Sequence, residues 1–240
     1  MFSFFSPSKK ISRVPFATDM HSHLLPGLDD GVRSLEEVGI IVERLKAYGY
    51  TKAITTPHIM NDSYRNTPEG IRAKLNEVKA FLAAAHPDFE LEAAAEYYLD
   101  EMLMQRLAQK EELLTFGNSY LLFETNYLTE PYVLREFIFN ATTQGYQLVL
   151  AHPERYHFMT LEKAEDLIDR GVLLQLNLLS LSGFYGKPVQ KMADRLIERQ
   201  WVHLLGSDCH HPDHARALEA VIHTRSFRKA IELPLLNSTL

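Results

Sequence analysis

Histidine and acidic side chains recur along this chain in short clusters, each at the end of an apolar run. The series is Asp19-Met20-His21-Ser22-His23, Thr56-Pro57-His58, Ala95-Glu96, Phe123-Glu124, Ala151-His152-Pro153-Glu154-Arg155 and Ser207-Asp208-Cys209-His210. Imidazoles and carboxylates with almost no thiol suit a divalent ion such as Zn, Mn or Fe. The spacing of His21 and His23 strengthens this, because alternate strand residues face one side and can present two imidazoles to one ion. Taken alone, His58 or His152 would more often be a hydrogen-bonded structural histidine, and Glu96 or Glu124 a solvated strand end. Six such clusters together are hard to assemble by accident, since charge at the end of an apolar run is costly to bury unless it is paired or metal-bound.

Further residues border these clusters. The stretch LLPGLDDG places Asp29 and Asp30 between Gly27 and Gly31, a turn able to fold a carboxylate over the site, although Asp-Gly turns are commonplace. Among the other histidines, His86, His203 and His223 fall on helix-like or pre-strand positions and read as structural or surface residues. His157, His211 and His214 lie near the clusters, where the bland reading is still the commoner one.

Such clusters need a scaffold that brings them together. Strand-like apolar runs at 17–24, 52–58, 90–98, 119–126, 147–152, 172–178 and 201–208 alternate with amphipathic helix-like stretches. One helix is expected over 34–48, with Ser34 and Glu37 as a capping box, Leu35, Val38, Ile41, Val42 and Leu45 on one face, and Gly49 as the stop. Another opens at Thr67-Pro68 and carries Ile71, Leu75, Val78 and Leu82 on its apolar face. Thr160 caps a third that ends before Gly171. Seven alternations imply an α/β fold with a parallel sheet and crossover helices, and the length suits a closed barrel of about seven strands. An open doubly wound sheet is the alternative. In a barrel, six of the seven runs deliver His, Asp or Glu to the C-terminal rim, where such folds carry their active sites. The sixth run ends without one, at Asn177.

Composition narrows the function classes. With 240 residues, 46% hydrophobic and 23% charged, the chain is an ordinary globular protein. Its net charge of −6 leaves no basic excess for a general nucleic-acid binder. The single cysteine, Cys209, excludes a disulfide framework and fits a reducing, cytoplasmic setting. No stretch approaches the ~18 apolar residues of a membrane span. The segment 1–16 reads as a tail, mobile or docked, ahead of one domain over 17–240; its apolar run is interrupted and its lysines follow it, unlike a signal peptide.

The succession DMHSHLLPGLDDG, TPH, AAAEYY, LLFETN, AHPERY and GSDCH resembles the PHP (polymerase and histidinol phosphatase) superfamily. Within it, the motifs resemble the bacterial CpsB/YwqE-type manganese-dependent protein-tyrosine phosphatases, from about Asp19 to Arg216. The resemblance implies a distorted (β/α)7 TIM-like barrel, the PHP fold, holding two to three divalent ions, with Mn foremost and Fe, Zn or Co as alternatives. It assigns one metal to His21, His23, Glu96 and Asp208, with Glu96 bridging to a second that also takes Glu124 and His152. A third falls to Asp30, His58 and His210, Asp30 being preferred to Asp29 because it directly precedes the glycine. Arg155 aligns with a phosphate-binding arginine. Arg216 is the counterpart of a second, although SDCHHPDHAR departs from the commoner pattern after His210. The implied partner is a phosphotyrosine protein, the tail of a bacterial tyrosine kinase that governs capsule and exopolysaccharide assembly.

The chemistry so implied is hydrolysis by a metal-activated water, with cations neutralising the phosphoryl oxygens. Arg155 offers a bidentate fork, and His211 is a rim histidine that could protonate the leaving group. A thiol phosphatase would need Cys followed by five residues and Arg, whereas Arg216 comes one residue too late after Cys209. Amidohydrolases call for a modified lysine at the fourth strand, where this chain has Glu124. A non-enzymatic metal binder would be expected to lack ligands. Histidinol-phosphate phosphatase shares the metal site, so the pocket must decide. Tyr97, Tyr98, Tyr127, Tyr156, Phe184 and Tyr185 all follow strand ends, and an aromatic rim favours phosphotyrosine. Cys209, between two implied ligands, is expected to point away from them into the barrel wall.

Overall fold

The computed structural model describes residues 13–240. Among these, nine strands form two wholly parallel sheets. Strands β1 (Thr18–Asp19), β2 (Lys52–Thr55) and β4 (Glu90–Ala93) make one, in that order. The other runs β3 (His58–Ile59), β5 (Glu96–Tyr98), β6 (Tyr120–Glu124), β7 (Gln147–Ala151), β8 (Leu173–Asn177) and β9 (Leu204–Gly206). The second and third expected runs are therefore each split in two. Pro57 has no N–H for the ladder, and its run breaks there. Pairing nonetheless crosses the gap, with Ala94 N donating to Thr55 O (2.9 Å) and Glu96 N to Pro57 O (3.1 Å).

The seven runs follow one another in sequence order, and the last returns to the first. A parallel bridge joins Ser22 to Cys209, and Asp208 N donates to His21 O at 2.8 Å. Below this bridge side chains replace the ladder. The Asn237 amide accepts from Leu205 N (2.9 Å) and donates to Leu205 O (2.7 Å) and Thr18 O (3.3 Å). Asp19 accepts from Ser207 N (2.8 Å) and Ser207 Oγ (2.6 Å). The ring is thus distorted at this seam, and the open doubly wound alternative does not describe it.

Helices cover the outside: α1 (Leu35–Tyr48), α2 (Pro68–Ala85), α3 (Glu101–Gln109), α4 (Leu134–Thr143), α5 (Leu161–Asp169), α6 (Lys187–Glu198), α7 (Pro212–Ile222) and α8 (Arg225–Ala230). Ser34, Thr67 and Thr160 cap α1, α2 and α5, and Gly49 ends α1 at φ 103°. The capping box is only half formed. Ser34 accepts from Glu37 N, but the Glu37 carboxylate accepts from Arg33 N at 2.8 Å instead of from Ser34 N.

The interior holds a cluster of Met20, Ile54, Ala94, Leu122, Val149 and Leu204, with Leu173 packed against it. Each of the seven runs contributes one of these residues. Two positions further on, the same strand faces present Glu96, Glu124, Gln175 and Gly206, because side chains repeat with period two. An apolar floor therefore lies under a layer that carries the buried Glu96, Glu124 and Gln175. Of the segment 1–16, residues 1–12 lie outside the described residues. Val14 and Phe16 are buried, and Val14 N donates to Tyr48 O at 2.8 Å. Among the described residues no helix is long and apolar enough to cross a membrane.

Candidate metal centre

The strand ends bring all nine expected ligands into four overlapping groups of converging nitrogen and oxygen atoms. The groups are His23–Asp30–His58–His210, His21–His23–Asp208, His21–Glu96–His152 and His58–Glu96–Glu124. Glu96 is at the middle. Its Oε2 lies 3.2 Å from His21 Nε2, 3.5 Å from His23 Nε2 and 3.2 Å from His58 Nδ1, while Oε1 lies 3.0 Å from His152 Nε2. Asp208 Oδ1 is 3.4 Å from His21 Nε2 and 3.5 Å from His23 Nε2. Asp30 Oδ1 reaches His58 Nε2 at 3.6 Å and His210 Nε2 at 3.7 Å. The grouping differs from the implied ligand sets at three points: His58 also sides with Glu96 and Glu124, His21 with Glu96 and His152, and His23 with the Asp30 group.

The donor set fits divalent ions. His21 Nδ1 is bonded to Gln175 Oε1 (2.8 Å) and His23 Nδ1 to Asp29 Oδ2 (2.7 Å), so both ring protons face outward. The two Nε2 atoms then confront each other at 3.3 Å. Two lone pairs at that distance need a proton or a cation between them. His58 Nδ1 is also buried without a hydrogen bond, although Glu124 Oε1 lies only 3.1 Å away.

The titration of the metal-free centre follows from this crowding. Burial alone would push the His21 imidazole down, but Glu96 and Asp208 outweigh it and raise its pKa to about 9. Burial likewise opposes ionisation of Glu96, yet His21 and His58 hold it well below the usual carboxylate range. Asp208 is held low against burial by His21 and His210. His210 goes the other way, pushed down to about 4 by burial and then by His23. The clustered charges stabilise one another, as expected at a functional site.

The backbone makes room for these side chains. His152 and Asp208 adopt left-handed φ values of 35° and 51°, a conformation uncommon for residues other than glycine. At Gly31 a Cβ would stand 2.4 Å from His23 O, so only glycine lets the Asp29-Asp30 turn press this closely. That turn separates the two acids. The Asp29 side chain is buried and accepts from His23 Nδ1, His58 N (3.0 Å) and Gly31 N (2.9 Å), while Asp30 faces the donors.

The centre floors a cavity of about 580 Å³ walled by Met60, Tyr64, Tyr127, Arg155, Tyr185 and His214. Arg155 Nη1 donates to Asp208 Oδ2 at 3.0 Å. Its guanidinium lies between the rings of Tyr127 (5.0 Å) and Tyr185 (4.5 Å). His211 also lines the cavity and caps α7, its Nδ1 accepting from Asp213 N at 3.3 Å. The remaining ring proton is thereby left on Nε2. Arg216 is not brought to the cavity. It is an exposed residue of α7 whose Nη1 donates to Asp213 Oδ1 at 2.6 Å.

Not all expected rim aromatics are there. Tyr97 and Tyr156 are buried, their hydroxyls accepting from Leu114 N (2.8 Å) and Thr125 N (3.2 Å). Tyr98 opens on a neighbouring groove. Phe184 is half-exposed, edge-on to Tyr185 and His214. Cys209 is fully buried and turned to His211 O at 3.5 Å, and burial pushes its thiol pKa up. No local signal in the sequence marks Gln175, nor Tyr64, whose ring stacks on His58 at 5.7 Å.

A family model for capsular polysaccharide synthesis proteins, CpsB/CapC, matches residues 17–226. The tyrosine-protein phosphatase CpsB of Streptococcus pneumoniae is 28% identical over 203 residues, covering 81% of this chain and 83% of that protein. A chain from the crystal structures of YwqE from Bacillus subtilis and CpsB from S. pneumoniae, reported as metal-dependent tyrosine phosphatases, superposes with a TM-score of 0.77. It shares 24% identity and covers 89% of this chain and 84% of its own. A histidinol phosphate phosphatase from Lactococcus lactis, solved with zinc, L-histidinol and phosphate, shares the fold at a TM-score of 0.51 and 12% identity, covering 86% of this chain and 92% of its own.

Proposed function

This chain belongs to the CpsB/CapC family, and on that premise we propose that it is a metal-dependent protein-tyrosine phosphatase. The observation that carries the reading is the cluster of nine converging donor residues, six of which floor a cavity walled by Arg155 and tyrosines while His21, His23 and Glu96 lie buried beneath. In this reading His21, His23, Asp30, His58, Glu96, Glu124, His152, Asp208 and His210 hold two or three divalent ions, with manganese foremost. When bound, such ions lower the pKa of water and neutralise phosphoryl charge.

The chain's own residues account for the rest. Arg155 binds phosphoryl oxygens through the donors not engaged by Asp208, and the rings on either side hold its fork in one plane. Tyr64 and Met60 form an aryl-sized, largely apolar wall for the tyrosyl ring. The leaving group is a phenolate with a conjugate-acid pKa of about 10, so it demands little protonation. The Nε2–H of His211 can supply the proton. The buried Cys209 takes no part, and no phosphoenzyme forms. The substrate is the tyrosine-phosphorylated tail of a bacterial kinase serving capsule or exopolysaccharide synthesis, met in the cytoplasm.

Metal analysis of the purified protein, with kcat/KM for phosphotyrosine peptides and histidinol phosphate measured side by side, tests the reading. At least a tenfold preference for the peptides is expected, about 1.4 kcal/mol of discrimination. The reverse preference would overturn the substrate assignment, and absence of bound metal would overturn the centre.

A further inference from the structure

Strand β8 ends without a metal-binding side chain, yet its two polar residues lie between two proposed ligands. Gln175 Oε1 takes the hydrogen bond of His21 Nδ1 at 2.8 Å. Gln175 Nε2 donates to Asn177 Oδ1 at 3.0 Å, and Asn177 Nδ2 donates to Asp208 Oδ2 at 2.6 Å. Both amides are wholly buried. We infer that Gln175 and Asn177 are positioning residues, an amide relay that holds His21 and Asp208 in the forms that bind metal. The inference rests on the proposed reading of the centre as a metal site.

The polarity of the relay is fixed at both ends. His152 N, which can only donate, points at Gln175 Oε1 from 3.3 Å, so the atom that faces His21 is the amide oxygen. At the other end an ionised Asp208 only accepts, so Asn177 must offer its nitrogen. Reversing either amide would set donor against donor or acceptor against acceptor. The His21 proton therefore stays on Nδ1 and the Nε2 lone pair faces the centre. Asp208 Oδ2 is saturated by Asn177 and Arg155, which leaves Oδ1 directed at His21, His23 and His210.

Surrounding residues are built to hold this arrangement. Glu154, itself buried, accepts from Asn177 N (3.0 Å) and Ser180 Oγ (2.7 Å), pinning the end of β8. A Cβ at Gly206 would come within 2.6 Å of His21 Cβ and 2.8 Å of Gln175 Nε2, so glycine is what allows the two to meet. The plain alternative is that the amides merely satisfy each other in the ring interior. That role could be filled by apolar residues at both positions, as in the layer beneath, where Leu173 packs against the apolar cluster of the interior.

The two roles differ in what they do to metal affinity. Gln175→Leu and Asn177→Ser cut the relay at its two ends, and both are purified free of metal and titrated with Mn(II) against a competing chelator. Outer hydrogen-bond partners of ligands are worth roughly 10–100-fold in affinity, and a loss in that range is expected for each, with circular dichroism unchanged. Affinity within twofold of the wild type in a folded variant overturns the relay, whatever happens to melting temperature. Should Gln175→Leu fail to fold, Asn177→Ser alone decides. Failure of the wild-type protein to bind Mn(II) would instead refute the metal centre itself, so the two failures are distinguishable.

Discussion

Asp29 Oδ2 accepts a 2.7 Å hydrogen bond from His23 Nδ1, while its neighbour Asp30 turns to the donor cluster from the other side of the same turn. Two adjacent, chemically identical side chains thus divide an outer and an inner role. Asp29→Asn keeps the shape but places a mixed donor where the histidine needs an acceptor. Metal affinity should fall by roughly 10–100-fold, measured by chelator competition, whereas Asp30→Asn should leave the His23 tautomer intact and remove the negative charge of a ligand.

Glu96 is within 3.5 Å of four imidazoles, so its replacement should be felt by the whole centre. Glu96→Gln is expected to lose bound metal and nearly all turnover while keeping its circular dichroism spectrum. Elemental analysis of the variant would overturn this if the wild-type metal content remained.

The buried Cys209 thiol should be dispensable for chemistry. Cys209→Ser is expected to keep most of its activity, with a modest stability cost of about 1–3 kcal/mol from the buried hydroxyl. Iodoacetamide should inhibit the folded enzyme only slowly. Abolished turnover at full metal occupancy would revive a thiol mechanism.

Gly31→Ala introduces a methyl group 2.4 Å from a backbone oxygen and 2.6 Å from His23 Cβ, neither of which is a flexible side-chain tip. The turn must move, carrying Asp29 and Asp30 with it. A melting temperature several degrees lower is expected, in line with about 1–3 kcal/mol of overpacking, together with weaker metal binding.

Stability of the metal-free protein should fall as pH rises from about 6.5 towards 9. His21 binds its proton more tightly folded, at about 9, than its ordinary 6.5. The stabilisation it contributes is therefore complete below 6.5 and lost as pH passes through the folded value. The depressed Glu96 and Asp208 act oppositely, contributing above the ordinary carboxylate range and losing their effect in acid. Saturating metal, which displaces the His21 proton, should abolish the alkaline decline and release protons on binding. Melting curves at several pH values, with and without Mn(II), would show whether the alkaline slope exists.

Much of this centre can be read along the chain because the rules involved are local. Period-two alternation puts His21 and His23 together, and parallel strands deliver their C-terminal ends to one rim, whichever helices lie between. Caps at Ser34, Thr67 and Thr160 depend on residues three positions apart. Pairings between distant residues have no such signature. Gln175 meets His21 across 154 positions, and nothing around either residue announces the other. Tyr97 and Tyr127 follow strand ends in the same manner, yet one hydroxyl is sealed against Leu114 and the other ring flanks Arg155. Arg216 carries the right charge near the right motif, but helix α7 turns it to Asp213. The ligand types and their order are properties of the sequence by itself. The partners that set their protonation and aim depend on how the ring brings distant strands together, and only the tertiary structure decided them.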